Sequence, residues 1–212
     1  MILLSQHLIL TERLNRAEAA FRNATPLHGE RHRQRWIFEA ALSDAWQGYC
    51  SFVRHVCIAS STGCQTASGA VLAASVAPPT WQRASYVSIR SSKNAAVHPA
   101  QTNSSLRREP TWGDSSKITD IVGGLNPANK ATLVAHFAGG LTGPKHCQVV
   151  RNAAAHKNHQ TKDEVEALAA SYVASRILYP TDAMLWRDPA NGDYAFLSWL
   201  EDMKVIAAGA IQ

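Results

Sequence analysis

Two long stripes of mostly apolar residues, spaced at helical intervals, constrain the fold more than any other feature of the sequence. The first stripe lies between residues 2 and 22, in steps of four and three: Leu3, His7, Leu10, Leu14, Ala17 and Phe21. The second lies between residues 33 and 60 and contains Phe38, Leu42, Ala45, Tyr49, Phe52 and Val56. Because one helical turn takes about 3.6 residues, each stripe predicts one face of a helix. We therefore predict a hairpin of two long helices, joined by the basic stretch 30–35.

The composition favours the same fold class for the whole chain. The 212 residues include 34 Ala, whereas Gly and Pro together number 21, and this balance favours packed helices over many short strands. A chain of this length can bury one sizeable core and is short for two. We predict an all-α fold, an up-and-down helical bundle, in which residues 1–212 form a single domain.

The stretch 60–116 differs in composition from the predicted helices. It is rich in Ser, Thr, Gly and Pro, its strand-like part is 84–89, and its best candidate for a hidden helix is 65–75. We predict a loop-rich insertion between the second and third main helices. Near its end, Arg107 and Arg108 precede Trp112. This combination suits phosphate contact and base stacking, and the alternative is a tryptophan that fixes the loop to the core.

Start and stop signals predict further helices after the insertion. The predicted segments are 116–125, 128–138, 144–157 and 161–179. Thr161 and Glu164 form a capping-box pattern at the start of the last one, and Pro180 ends it. The tail 181–212 is too rich in aromatic and aliphatic residues to remain free. We expect it to dock on the bundle or on another subunit.

One short segment of the third of these helices, 144–157, combines residue types that suit catalysis. Arg151 and Asn152 are followed by three alanines and then His156. On an ideal helix Asn152 and His156 share a face, whereas Arg151 and His156 lie about 140° apart. A single ideal helix therefore cannot direct both side chains at one atom. Their convergence would need a distorted helix end at His156, or a second copy of the helix across a two-fold axis.

These residue types match the needs of RNA cleavage. An RNA strand carries its own nucleophile, the 2′-hydroxyl, so cleavage needs a base that titrates near neutral pH and a cation for the charge that develops on the phosphate. His156 supplies the first and Arg151 the second, with a forked donor geometry that suits phosphate. Asn152 would position the imidazole or the phosphate. No metal ion or other cofactor is needed for this chemistry.

The string Arg151-Asn152-Ala-Ala-Ala-His156 resembles the signature of HEPN domains (higher eukaryotes and prokaryotes nucleotide-binding), an Arg and a His separated by four to six residues. In that family the residue after the Arg is typically polar, as Asn152 is. The resemblance implies an α-helical bundle that dimerises, so that both motifs form one composite cleft. Many members are metal-independent endoribonucleases that act as toxins, antiphage effectors or RNA-processing enzymes, some beside a nucleotidyltransferase-fold partner.

The resemblance leads us to expect a metal-independent endoribonuclease that cleaves RNA through attack of the 2′-hydroxyl, as a toxin or an antiphage-defence effector. Arg151, Asn152 and His156 would be its catalytic residues, in a homodimer with a composite active site. The alternative is a non-catalytic helical dimer module that binds RNA or a partner protein, such as a nucleotidyltransferase-fold antitoxin.

Further basic and polar residues are candidates for RNA contact. Lys157 and Asn158 directly follow the motif, and they would either line the mouth of the cleft or form a solvated turn. Arg31, Arg33 and Arg35 would share a face if their segment were extended, and would spread around a helix that begins earlier. The basic half of the chain supports a polyanion: residues 1–108 carry 12 Lys or Arg and 5 Asp or Glu, a charge of +7.

Several other classes are not expected. The histidines do not occur in the compact pairs of a zinc site, and no phosphate-binding glycine loop is present. The apolar opening is interrupted by Gln6 and His7, which argues against a signal peptide. The longest apolar run is far below the ~20 residues that span a bilayer. We therefore expect a cytoplasmic protein that binds no membrane and no metal.

Overall fold

The computed structural model describes residues 2–27, 29–99 and 101–212, and it is built from helices. The α-helices are α1 (Leu3–Ala24), α2 (Arg31–Thr62), α3 (Trp81–Ser91), α4 (Ser115–Leu125), α5 (Lys130–Phe137), α6 (Gly143–His156), α7 (His159–Leu168) and α8 (Ala195–Ala210). Short 3-10 helices lie at Leu106–Arg108, Ala169–Ser171 and Pro180–Leu185. Two antiparallel strands, β1 (Cys64–Gln65) and β2 (Val71–Leu72), complete the described elements. The predicted all-α class is confirmed.

The described chain divides into two compact units. Unit 1 contains residues 2–10, 50–99, 101–140 and 205–212, and unit 2 contains residues 11–27, 29–49 and 141–204. Helices α1, α2 and α8 each contribute residues to both units. The single domain 1–212 and the up-and-down bundle topology stay predictions.

The two predicted stripes form the buried faces of α1 and α2. Every stripe residue is buried except His7, which is half-buried. In unit 2 the ring of Phe21 on α1 lies 4.9 Å from the ring of Phe38 on α2 and 5.1 Å from that of Phe196 on α8. Aromatic pairs at these separations add to the stability that burial provides. The predicted tail therefore packs on α1 of its own chain.

A glycine lets α6 approach α8 closely in unit 2. A Cβ atom at Gly143 would lie 2.7 Å from the Cα of Trp199, a distance that real Cβ atoms do not show. The Gly143 backbone N–H also donates to the Asp202 carboxylate, at 2.8 Å. The first turn of α6 is thus fixed against α8, and this contact positions the remainder of α6.

The predicted insertion 60–116 contains more regular structure than the sequence indicated. The strand-like stretch 84–89 lies within α3, so the strand interpretation is wrong. Thr80 caps that helix by accepting from the Arg83 backbone N–H, and residues 83–89 are all buried. Polar Ser85 and Ser88 alternate with apolar residues in this stretch, and a window of six residues fits a short strand as well as a helix. The helix suggested at 65–75 is also wrong, since that stretch contains β1 and β2.

The predicted helix 161–179 is much shorter in the structure. It begins at His159 and ends at Leu168, and its cap is Asn158, whose side chain accepts from the Thr161 backbone N–H, so the cap predicted at Thr161 is wrong. After Ala169–Ser171 the chain is irregular, and Val173 forms a bridge with Arg187.

Candidate functional site

Helix α6 carries the Arg151, Asn152 and His156 motif, and its inner face is firmly held in unit 2. Val150 and Ala153 are buried, and so is His146. The Tyr172 hydroxyl accepts from the Trp199 indole N–H at 2.7 Å, so its own proton is free to donate to His146 Nδ1, 2.6 Å away. Burial lowers the pKa of His146 and raises the pKa of Tyr172 to about 12, so both stay neutral at pH 7.

Arg151 lines an open groove between α6 and α2. This Arg151 groove has a volume of about 390 Å³, and its other lining residues are Trp36, Glu39, Ala40, Leu42, Ser43, Ala154 and Ala155. Trp36 is 77% exposed. The small side chains of Ala154 and Ala155 leave the floor of the groove accessible. The Arg151 guanidinium forms no ion pair with any described residue and is therefore available to an anion.

His156 is the last residue of α6, and its side chain is exposed. The helix keeps its geometry through His156 and departs from it at Lys157, where φ is 11° and ψ is 65°. The two motif side chains therefore keep the angular separation of about 140° that a regular helix gives them. Within one described chain, the structure does not bring Arg151 and His156 to one point.

Asn152 contacts the arginine and not the histidine. Its Oδ1 atom accepts from Arg151 Nη1 at 3.3 Å. This hydrogen bond holds one nitrogen of the guanidinium. The positioning of the imidazole or of the phosphate by Asn152 stays a prediction.

Lys157 and Arg35, two of the predicted RNA contacts, lie against the same tyrosine ring. The Lys157 ammonium is 4.8 Å from the centre of the Tyr179 ring, and the Arg35 guanidinium is 4.7 Å from it. The Tyr179 hydroxyl donates to the Glu39 carboxylate. Contact with Tyr179 raises the pKa of Lys157. We call Arg35, Glu39, Lys157 and Tyr179 the Tyr179 cluster.

The remaining residues around the motif have structural partners or lie on a helix. Asn158 caps α7 and also donates to the carbonyl of His156, at 3.0 Å, so its side chain is occupied. Arg31 and Arg33 lie in the first turn of α2, and Arg33 pairs with Glu30 at 3.1 Å. The extended arrangement in which Arg31, Arg33 and Arg35 share one face is therefore wrong, because α2 begins earlier and spreads them around its axis.

Arg107 and Arg108 belong to unit 1, whereas the motif belongs to unit 2. Both side chains are exposed on the 3-10 helix Leu106–Arg108. Trp112 is only 5% exposed, and its indole N–H donates to Glu109 at 2.9 Å. The interpretation of Trp112 as a stacking platform for a base is wrong, and the alternative, a tryptophan that fixes the loop to the core, is confirmed.

Sequence reasoning missed Trp36, Glu39 and Tyr179. They are brought to the motif by tertiary packing, which no local pattern reports. One signal was available: a residue before proline disfavours the helical conformation, so Tyr179, which precedes Pro180, should not have been placed inside a helix. In the structure its φ is −144° and its ψ 145°, which is extended.

Comparison with protein-family models, with curated proteins and with solved structures found no match to this chain. In the part of the chain that the structure describes, no three His, Cys, Asp or Glu side chains group in a way that could hold a metal ion. None of the described helices is both long enough and apolar enough to cross a membrane.

Proposed function

We propose that the protein is a metal-independent endoribonuclease whose catalytic residues are Arg151 and His156. One observation carries the proposal: Arg151 lines an open groove and His156 is exposed, on the same helix whose opposite face is buried. Neither side chain is sealed in the core, and neither forms an ion pair with a described residue. These two side chains are instead accessible to a substrate phosphate.

Each residue has a definite role in the proposed reaction. His156 takes the proton of the 2′-hydroxyl, whose oxygen attacks the adjacent phosphorus and expels the 5′-oxygen of the next nucleotide. The imidazolium then gives a proton to this departing 5′-oxygen. Arg151, oriented by Asn152, stabilises the charge on the phosphate oxygens during this attack. The products are a 2′,3′-cyclic phosphate and a free 5′-hydroxyl, so no water molecule is consumed in this step.

The separation of Arg151 and His156 around α6 supports a working unit of two chains. Since one regular helix cannot direct both side chains at one atom, the proposal pairs the Arg151 of one chain with the His156 of a second chain. The exposed Trp36 and the small Ala154 and Ala155 beside Arg151 offer a surface for that second copy. The resemblance of residues 151–156 to the HEPN signature supports the same arrangement.

The same resemblance supports a biological role as a toxin or antiphage-defence effector in the cytoplasm, controlled by an antitoxin or a nucleotidyltransferase-fold partner. A protein of this kind would inhibit the growth of cells that express it alone. His156→Ala would relieve that inhibition.

Cleavage of a labelled single-stranded RNA in EDTA tests the proposal. The wild-type protein should produce fragments that end in a 2′,3′-cyclic phosphate, and His156→Ala and Arg151→Ala should each lower the rate by a factor of about 100 or more. His159→Ala and Arg176→Ala are matched controls, since both residues are exposed and lie outside the motif. Equal rates in all variants would contradict the proposal.

The contact between Arg151 and Asn152, which does not include His156, favours a second candidate function. In that case the motif belongs to a non-catalytic helical dimer that binds RNA or a partner protein. RNA that is bound but left intact by the wild-type protein would support this candidate.

A further inference from the structure

Unit 1 carries the whole net charge of the chain. Its residues include eight Lys or Arg and three Asp or Glu, a formal charge of +5, whereas unit 2 contains thirteen of each kind. The motif lies in the neutral unit. A polyanion as long as an RNA strand would be attracted to the other one.

A groove on unit 1 has the shape and the side chains for nucleobases. We call it the Trp81 groove; its volume is about 690 Å³, and its lining residues are Ser51, Arg54, His55, Ile58, Ala59, Thr62, Trp81, Leu106 and Glu109. Trp81 is 46% exposed and Leu106 is 63% exposed. Ile58 and Ala59 are buried beneath them. A half-exposed indole above an apolar floor is a platform on which a base can stack.

The positive charge beside the Trp81 groove is free to meet phosphate. Arg107 and Arg108 directly follow Leu106, their side chains are exposed, and neither forms an ion pair with a described residue. The nearest acidic residue along the chain, Glu109, is held by Arg54 through two hydrogen bonds, at 2.6 and 2.9 Å. Glu109 is therefore engaged by Arg54 and is not paired with the two arginines.

His55 adds a polar atom for the recognition of a base. Its Nδ1 lies 2.6 Å from the carbonyl oxygen of Ser51, which can only accept, so Nδ1 carries the proton. In the neutral imidazole Nε2 is then an acceptor. The amino group of adenine or cytosine is a donor that could reach such an atom in the groove.

From these observations we infer that the Trp81 groove is a binding site for single-stranded RNA, in which a base stacks on Trp81 while Arg107 and Arg108 contact the flanking phosphates. This inference rests on the proposed function only for the identity of the ligand. The site lies in a different unit from the catalytic motif, so it would select and hold the strand and would not cut it.

Binding of a strand that cannot be cleaved tests the inference separately from catalysis. The probe is a fluorescein-labelled 2′-O-methyl oligonucleotide of alternating A and C, about twelve nucleotides long, which is within the range of single-strand sites. Its blocked 2′-oxygens exclude the proposed cleavage. Fluorescence anisotropy gives its Kd at several salt concentrations.

Three variants and one control give the expected pattern. Trp81→Ala should weaken binding by about fivefold or more, and Trp81→Phe, which keeps an aromatic ring, by less. Arg107→Gln with Arg108→Gln should also weaken binding and reduce the slope of log K against log salt by about 1.4, since two phosphate contacts are lost. Lys117→Gln with Lys130→Gln removes the same charge from exposed positions of unit 1 outside the groove, and should change little.

Any of three results would overturn the inference: unchanged binding in the Arg107 and Arg108 double variant, an equal loss in the Lys117 and Lys130 control, or no binding of the strand at all. A Trp81→Phe variant as weak as Trp81→Ala would overturn the stacking step. If the wild-type protein cuts RNA and these variants bind normally, this inference alone fails. If the wild-type protein binds the strand as described and cuts no RNA, the proposed function fails and the inference that the Trp81 groove binds single-stranded RNA stands.

Discussion

Replacement of Glu109 by Gln should destabilise unit 1, because this carboxylate joins three separate segments. One of its oxygens accepts from Arg54 Nε at 2.6 Å and from the Trp112 indole at 2.9 Å. The other accepts from Arg54 Nη2 at 2.9 Å and from the Ser85 hydroxyl at 2.5 Å. The Glu109 side chain is only 6% exposed. Gln replaces one of these oxygens by an NH₂ group, which faces two donors and can accept from neither.

The size of the loss follows from the number of bonds. A hydrogen bond to a charged group contributes about 1.5–3 kcal/mol, and the lower value applies because Arg54 is 22% exposed and partly solvated. Two lost bonds therefore lower the free energy of unfolding by about 3 kcal/mol, equivalent to about 6–12 °C in Tm for a chain of this size. Thermal and urea unfolding followed by circular dichroism measure both quantities.

Glu12→Gln is the matched control for this experiment. It breaks the exposed pair between Glu12 and Arg16, whose side chains are 72% and 65% exposed, and should cost less than about 1 kcal/mol. If the free energy of unfolding of Glu109→Gln lies within about 1 kcal/mol of the wild-type value, the conclusion that Glu109 stabilises unit 1 by holding three segments together is refuted.

The effect of Glu109 should also depend on pH. Burial alone would raise the pKa of this carboxyl, but the hydrogen bonds from Arg54, Ser85 and Trp112 hold it below its ordinary value of 4.5. A group whose pKa is lower in the folded state contributes its full stability above its unfolded pKa. The difference between wild type and Glu109→Gln should therefore be constant above about pH 5 and shrink as the pH falls through the folded pKa.

Two further predictions concern unit 2: the stability of a Gly143 variant and the pKa of Lys157 in a Tyr179 variant. Gly143→Ala should lower the free energy of unfolding by about 1–3 kcal/mol, since its Cβ would lie 2.7 Å from the Trp199 Cα. Gly123→Ala, where a Cβ would meet open space, should be neutral or stabilising by up to about 1 kcal/mol, measured by urea unfolding. Tyr179→Phe should shift the pKa of Lys157 down towards its ordinary value, as followed by NMR titration of the lysine side chain. An unchanged Lys157 pKa would contradict the contact in the Tyr179 cluster.

Local sequence patterns predicted the long helices with one buried face. They gave wrong predictions for two short helices, one in which most residues are buried and one in which almost none are. Helices α1 and α2 carry long stripes, and both were found from spacing. In helix α3, Ser85 and Ser88 lie among apolar residues and are buried with them, so the short stretch 84–89 fits the pattern of a strand as well as that of a helix. In α7 only Val165 is buried, and the helix ends at Leu168. The apolar residues after Leu168 continue the helical spacing in the sequence, but the chain there is not an α-helix.

The candidate site was predictable only in part, for a related reason. The motif on α6 is contiguous in sequence, so its composition and its helical angles could be worked out in advance. The Arg151 groove and the Tyr179 cluster depend on contacts between α6, α2 and the segment before Pro180, which are far apart in the chain. Trp36 and Trp112 show the limit most clearly, since residue type alone does not tell an exposed indole from a buried one.

Complementation between two inactive variants tests the central claim most directly. Three samples are assayed for RNA cleavage in EDTA: Arg151→Ala by itself, His156→Ala by itself, and an equal mixture of the two variants after their subunits have been allowed to exchange. Random exchange of equal amounts gives mixed dimers in about half of the molecules, and each of these keeps one intact arginine and one intact histidine. We predict that the mixture regains cleavage that neither parent shows. A mixture as inactive as its parents, with subunit exchange verified and the wild type active, would contradict a site built from two chains.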